Sequence, residues 1–343
     1  MLHVRVITPP STTDQVLEVA DCCPAVVNVI SYPGAARRPA GDVVEFDVAR
    51  EAANGVLEDL KTLGLKDSGG ISVEQIDLSI STAAETAEEV APGDPDDAVV
   101  WEDLAARTAA DARLTWAFLA FLALATQIAA IGALLDQPIL IVGAMVLGPE
   151  FGPVAAICFG VLRRDLRLIG GAVRTLVLGF AAAIAITLAC AAVSRLFGWI
   201  HPGDLGVRPL TSFIIHPDHW SFIVAVLAGI AGILSITAGK SSALVGVFIS
   251  VTTVPAAGNI AVAIALGHWS EVNASLIQLG INLAGMFVAG TVTLLVQRVL
   301  WARYGLHVSP VRRQPRRRPP RINPRRRTRP KVDLVRRRPR VRS

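Results

Sequence analysis

Cysteine is scarce in this chain, and the four present are poorly placed for a disulfide framework: Cys22 and Cys23 are adjacent, while Cys158 and Cys190 fall inside apolar stretches. They read as packing residues, a pattern that fits a reducing compartment for the N-terminal part. The opening MLHVRVITPP alternates like a strand and lacks the basic n-region and cleavable apolar core of a signal peptide. There is no phosphate-binding P-loop, GxSxG nucleophile elbow or HExxH zinc helix, so the motifs do not argue for an enzyme and no cofactor is expected. His201, His216, Asp218 and His219 match no strong metal-ligand spacing, and no metal is expected.

What the chain does have is apolar surface and separated charge. Hydrophobic residues make up 52% of it and the mean hydropathy is +0.51, too high for an ordinary soluble protein of 343 residues. The net charge of +5 conceals an asymmetry: residues 1–113 hold 8 Lys+Arg against 21 Asp+Glu, a balance of −13. Residues 312–343 hold 16 basic residues against the single Asp333.

Residues 1–82 follow the order strand, helix, strand, strand, helix, strand (βαββαβ), which predicts a small α+β ferredoxin-like soluble domain. The stretch Pro33 to Gly41 reads as a hairpin loop that puts Arg37 and Arg38 in an acidic domain. It is a candidate anion-binding loop, although a solvated turn has the same composition. Residues 83–113 are acidic and Ala-rich and read as a linker ending in a pre-membrane helix.

Residues 114–303 predict an α-helical membrane protein with six transmembrane helices, at roughly 114–135, 138–162, 168–195, 220–238, 241–267 and 272–300. Trp116, Trp199, Trp220, Trp269 and Trp301 fall at their edges, where indole rings favour the headgroup level. Arg163, Arg164, Arg167, Lys240 and Arg303 follow the even-numbered spans, which places both termini in the cytoplasm.

Shifting the membrane half by about 103 residues brings Leu140–Val161 onto Ala243–Ile264. Units of about 114–195 and 220–300 would then be related as an inverted 3+3 repeat with broken helices 2 and 5. Two proline kinks in a packed bundle are the plainer alternative. The first break carries Gly148, Pro149, Glu150, Gly152 and Pro153, and the second Thr252, Thr253, Pro255, Gly258 and Asn259. Proline removes backbone donors, glycine permits close approach, and a carboxylate at mid-depth costs several kcal/mol unless paired, hydrated or protonated. These ten residues are the candidate solute or ion site, with Arg174 as charge partner of Glu150. Gln127, Gln278 and Asn282 read as interhelical hydrogen-bonding residues.

The tail, 304–343, alternates Arg clusters with Pro and is expected to be disordered. Membrane lipids with anionic headgroups are its simplest partner, ahead of the acidic head or of nucleic acid, for which arginine content alone is a weak signal.

The segments MLHVRVITPP, YPGAARRPAGDVV, ILIVGAMVLGPEFGP and VPAAGNIAVA together resemble actinobacterial members of the hydrophobic membrane protein family "domain of unknown function 389", over about residues 1–300. The resemblance implies a bacterial inner (plasma) membrane protein with a soluble N-terminal domain. It supplies no substrate or catalytic residues, and the Arg-rich tail lies outside it. The expected activity is that of a secondary transporter or channel-like protein for a small ion or polar solute. The rival is a sensor or interaction protein whose head binds a ligand and whose spans form a homo-oligomeric anchor.

Overall fold

Alternation in the first strand sets the face of the head domain. Leu2, Val4, Val6 and Thr8 of β1 (Leu2–Thr8) are buried, while His3, Arg5 and Ile7 point the other way. The computed structural model describes residues 1–76, 78–91, 93, 98–206, 208–214, 219–238 and 252–304. β1 is followed by α1 (Thr13–Cys22), β2 (Val26–Arg37), β3 (Ala40–Val48), α2 (Ala53–Thr62), the single turn α3 (Leu65–Ser68) and β4 (Gly70–Gln75). The sheet order is β2-β3-β1-β4 with every pair antiparallel. Val16 and Ala20 of α1 and Val56, Leu57 and Leu60 of α2 close over Val4, Val6, Val44 and Phe46. Each such large apolar side chain contributes about 1.5–3 kcal/mol by leaving water. Gly64, in the left-handed region at φ 71°, ends the α2 segment.

The stretch expected to be a loop from Pro33 to Gly41 is instead strand. β2 runs on to Arg37, which pairs with Ala40, and only a tight turn separates the strands. The cause is Asp42: it accepts the Gly34 amide at 2.8 Å and the Thr13 hydroxyl at 2.6 Å, and so anchors an irregularity in register between Tyr32 and Ala36. The Thr13 hydroxyl and the Gly34 amide hold the Asp42 carboxyl below the usual carboxylate range. The last strand is shorter than expected, ending at Gln75, and Leu78 and Ile80 beyond it are exposed.

Residues 83–113 are not a free linker. They form α4 (Thr82–Val90) and α5 (Trp101–Asp111), and the second is clamped on both sides. Asn54 donates to the Val99 carbonyl at 2.7 Å and accepts from the Trp101 amide at 3.1 Å. Glu102 takes both Lys61 of α2 and Arg163 of the helical half. Those two cations, acting against the desolvation of the site, hold its carboxyl low. The buried guanidinium of Arg50 donates to the carbonyls of Ala98 and Thr237, each at 2.9 Å.

The helical half comprises α6 (Trp116–Leu134), α7 (Pro138–Leu147), α8 (Phe151–Arg163), α9 (Leu166–Leu196), α10 (His219–Thr237), α11 (Thr253–Leu266) and α12 (Trp269–Tyr304). Thr115 caps α6, Pro138 opens α7, Asp165 caps α9, and the left-handed Arg164 and Gly267 close α8 and α11. Four helices, α6, α9, α10 and α12, are long and apolar enough to cross a membrane. The pair α7 and α8, bent by 50°, makes a fifth. That is fewer than the six expected: of the fifth expected span, 241–267, residues 241–251 lie outside the described residues and α11 is a short apolar helix. The expected disordered tail lies outside them as well. Val177, Leu227 and Val288 are exposed on α9, α10 and α12, so the outer surface of the bundle is apolar.

Helix bounds recur at one interval. The 19-residue α6 and α10 start at 116 and 219, α9 and α12 at 166 and 269, and α8 and α11 end at 163 and 266, each pair 103 apart.

Arg50 caps the last carbonyl of α10, that of Thr237, and also holds the Ala98 carbonyl, so its loss strips a charged donor from two acceptors. Arg50→Met should destabilise the folded chain by about 3 kcal/mol, read as a lower thermal midpoint in detergent; an unchanged midpoint would contradict the clamp.

Candidate functional site

The prolines at the two breaks do not kink continuous helices. Pro153 and Pro255 are each the third residue of a new helix, α8 and α11, where the missing amide would have had no intrahelical partner. Pro149 lies in the gap after Gly148, where α7 stops. The chain leaves α7 in an extended conformation at Gly148, and Glu150 becomes the residue that caps α8.

The two new helices start at the same place. Glu150 Oε1 accepts the hydroxyl of Thr253, the first residue of α11, at 2.6 Å, and Thr253 is fully buried. Two helix N-termini therefore converge on one carboxylate, and their unpaired amides and dipoles favour negative charge by about 0.3–1 kcal/mol each, more where burial limits screening. Glu150 is 5% exposed, and its second oxygen, Oε2, has no hydrogen-bond partner among the described residues.

Arg174 is not its partner. It is exposed on α9 and forms no ion pair among the described residues. The compensation for Glu150 is the Thr253 hydroxyl and the two helix ends, not a fixed cation. Thr252 is drawn into the same region: its hydroxyl oxygen accepts the amides of Gln278 at 2.9 Å and Asn282 at 2.7 Å, both on α12.

The glycines divide by function. A Cβ on Gly148 would lie 2.2 Å from Glu150 Oε2 and 2.7 Å from Val254, so the position of the carboxylate requires glycine there. Gly258 lets α11 approach the α6 backbone at Thr126 and Ala130, and Gly152 lets α8 approach Asp111 of α5, so both serve packing. Asn259 lies deeper on α11, bonded to Arg208, Glu271 and Ser275. Arg37 and Arg38 stand exposed at the hairpin of the head, apart from this cluster.

A cleft of about 550 Å³ opens on the break, lined by Arg107, Asp111 and Arg113 and by Pro149, Phe151 and Gly152. That volume is in the range of small-molecule sites. Glu150 is not among the residues that line it, although its neighbours Pro149 and Phe151 are. α5 runs along α8, from Glu102 beside Arg163 to Asp111 against Gly152, so the former linker supplies the polar side of the cleft.

Sequence reasoning missed Arg208, Glu271 and Ser275. Its one available signal was the spacing of Glu271, Ser275, Gln278 and Asn282, which keeps four polar side chains on one face of α12.

Residues 145–288 match the family model described as domain of unknown function (DUF389). The similarity to this family lies within the helical half. The match begins in α7 and ends in α12, and it takes in the break, Thr252, Thr253, Asn259, Gln278 and Asn282. The "Uncharacterized protein MJ0678" of Methanocaldococcus jannaschii is 29% identical over 191 residues, 56% of this chain and 54% of that protein. The chain thus spans about half the length of this curated relative. No solved structure matches.

Two outcomes follow from the packing. Gly148→Ala should cost about 1–3 kcal/mol through the clash at Glu150, whereas Gly143→Ala, whose Cβ meets nothing within 4 Å, should be neutral or stabilising by up to about 1 kcal/mol. Equal effects in thermal unfolding would contradict the geometry.

At the cleft, apolar neighbours raise the Asp111 carboxyl above its usual range, opposed by Arg107, even though its side chain still reaches solvent. A raised acid stabilises the fold fully below the ordinary carboxylate range, and that contribution is lost as pH rises through its folded value. Asp111→Asn should therefore raise the thermal midpoint at pH 7 and leave it unchanged near pH 3. A midpoint shift of the same size at both pH values would contradict this assignment.

Proposed function

We propose that this chain is a multi-pass membrane protein that passes a small ion or polar solute, with Glu150 as the group that takes up and releases the moving charge. The observation that carries this reading is the meeting of two helix starts on a buried carboxyl with one oxygen unpartnered. A carboxyl held by a hydroxyl and two helix ends, with no cation beside it, is free to exchange a proton or cation.

The apolar outer surface and the four long apolar helices with their bent pair support placement in a bilayer. The recurrence of helix bounds at an interval of 103 supports an inverted repeat of three plus three spans. Residues 150 and 253 are themselves 103 apart, so in such a repeat the contact between them would lie at the pseudo-twofold axis, near which transporters of this architecture hold their cargo. The strand order of the head supports a ferredoxin-like domain. Both termini are assigned to the cytoplasmic face of a bacterial inner membrane, with the tail on anionic headgroups.

A second reading, a membrane-anchored sensor, is favoured by Arg50, through which any movement of the head reaches the end of α10. One experiment separates the two. Full-length protein in liposomes with an entrapped pH dye, driven by a potassium diffusion potential, should conduct protons, and Glu150→Gln should reduce the flux at least tenfold. Wild-type protein that conducts neither protons, sodium, potassium nor chloride would leave the sensor reading standing.

A further inference from the structure

A second polar cluster lies beyond the break. Asn259, wholly buried on α11, accepts from Arg208 Nη1 at 2.8 Å and donates to Glu271 at 3.2 Å and to Ser275 at 3.0 Å. Arg208 and Glu271 are ion-paired with side chains 3% and 14% exposed. Together with the bonds from Gln278 and Asn282 to Thr252, these contacts make a polar seam between α11 and α12. From Glu271 to Asn282 it covers about 16 Å of helix rise, half the thickness of a hydrocarbon core.

Three polar atoms along this seam have no hydrogen-bond partner, each on a residue more than nine-tenths buried: Glu150 Oε2, Gln278 Oε1 and Arg208 Nε. Buried polar groups are ordinarily satisfied, and a seam that served packing alone would close its bonds on itself. Three open positions on residues joined to this seam instead suit a route taken by water and protons.

The Arg208 end is tied to the break. Asp136 accepts the Thr211 amide at 2.9 Å, the Thr211 hydroxyl at 2.8 Å and the Leu210 amide, which fixes the loop carrying Arg208 to the start of α7. The other end of α7 is Gly148, against the Glu150 carboxylate. A tilt of this ten-residue helix at its break would move the Arg208 loop and the carboxylate together.

We infer that the Arg208–Glu271 ion pair is the gate of a proton path that runs between α11 and α12 and ends on Glu150. The inference rests on the reading of Glu150 as an ion-exchanging group. In this conformation the pair closes the far end while the cleft beside α5 opens on the break, as alternating access requires.

The test uses Ser275→Cys in the full chain, in liposomes, with a membrane-impermeant methanethiosulfonate and peptide mass analysis of position 275. Ser275 is wholly buried behind the pair. Modification should be slow with the pair intact and at least tenfold faster when Arg208→Gln is added, with Glu271→Gln as the alternative should that variant not fold. Equal rates, whether slow or fast, overturn the gate. Because labelling reads water access rather than transport, it separates the two claims. A rate that follows the pair while flux ignores Glu150→Gln removes the transport reading and with it the proton path, leaving the pair only as a barrier to water; a flux that needs Glu150 with a rate that ignores the pair removes the gate alone.

Discussion

The hydrogen bond from Thr253 to Glu150 joins two residues 103 apart in the chain, each at the start of a helix, and most of the helical half is arranged around it. Placing a carboxylate there requires a helix to begin at Phe151, so α7 must end at Gly148 and the chain must bend by 50°. It also requires Gly148, because any side chain would occupy the carboxylate's own position. α11 must then begin at Thr253, which puts Thr252 against Gln278 and Asn282 and Asn259 against Arg208 and Glu271. A hydroxyl bonded to an ionised group contributes about 1.5–3 kcal/mol, enough to fix this geometry but not to neutralise the charge. Among the described residues, the second oxygen of Glu150 is left unpartnered.

The head is coupled to this arrangement through α5. Its N-terminal end is held to the head by Asn54 and Lys61 and to α8 by the Arg163–Glu102 pair, and its C-terminal end reaches the break at Gly152. Arg50 makes a second link, to the end of α10. Surface ion pairs such as Lys61–Glu102 contribute little individually. The buried Arg50, bonded to two carbonyls, is the stronger constraint, and it ties the sheet of the head to the bundle.

Much of this was legible in the chain because local chemistry is strong there. Alternation of Leu2, Val4 and Val6 marks β1, Gly64 marks the end of the second helical segment, and Gly148-Pro149 marks the break. What was not legible depends on contacts distant in sequence. Arg174 is the cation that the sequence places inside the following span, but the group that meets Glu150 is Thr253. Arg208 and Glu271 each look like ordinary loop or first-turn charges, and only their pairing across 63 residues buries them. Residues 101–111 read as the pre-membrane helix of an acidic, Ala-rich linker; two buried residues, Leu104 and Thr108, are too few to reveal that this helix docks. The extension of β2 to Arg37 depends on Asp42 bonding to Gly34, a contact that hydropathy cannot register.

The central claim is that Glu150 and Thr253 act as one unit. A double-mutant cycle on the full chain, with Glu150→Gln, Thr253→Val and the pair compared by thermal unfolding, tests it most directly. The account predicts a coupling of at least about 1 kcal/mol, because either substitution alone breaks the same bond. Additive effects, within about 0.3 kcal/mol, would contradict it.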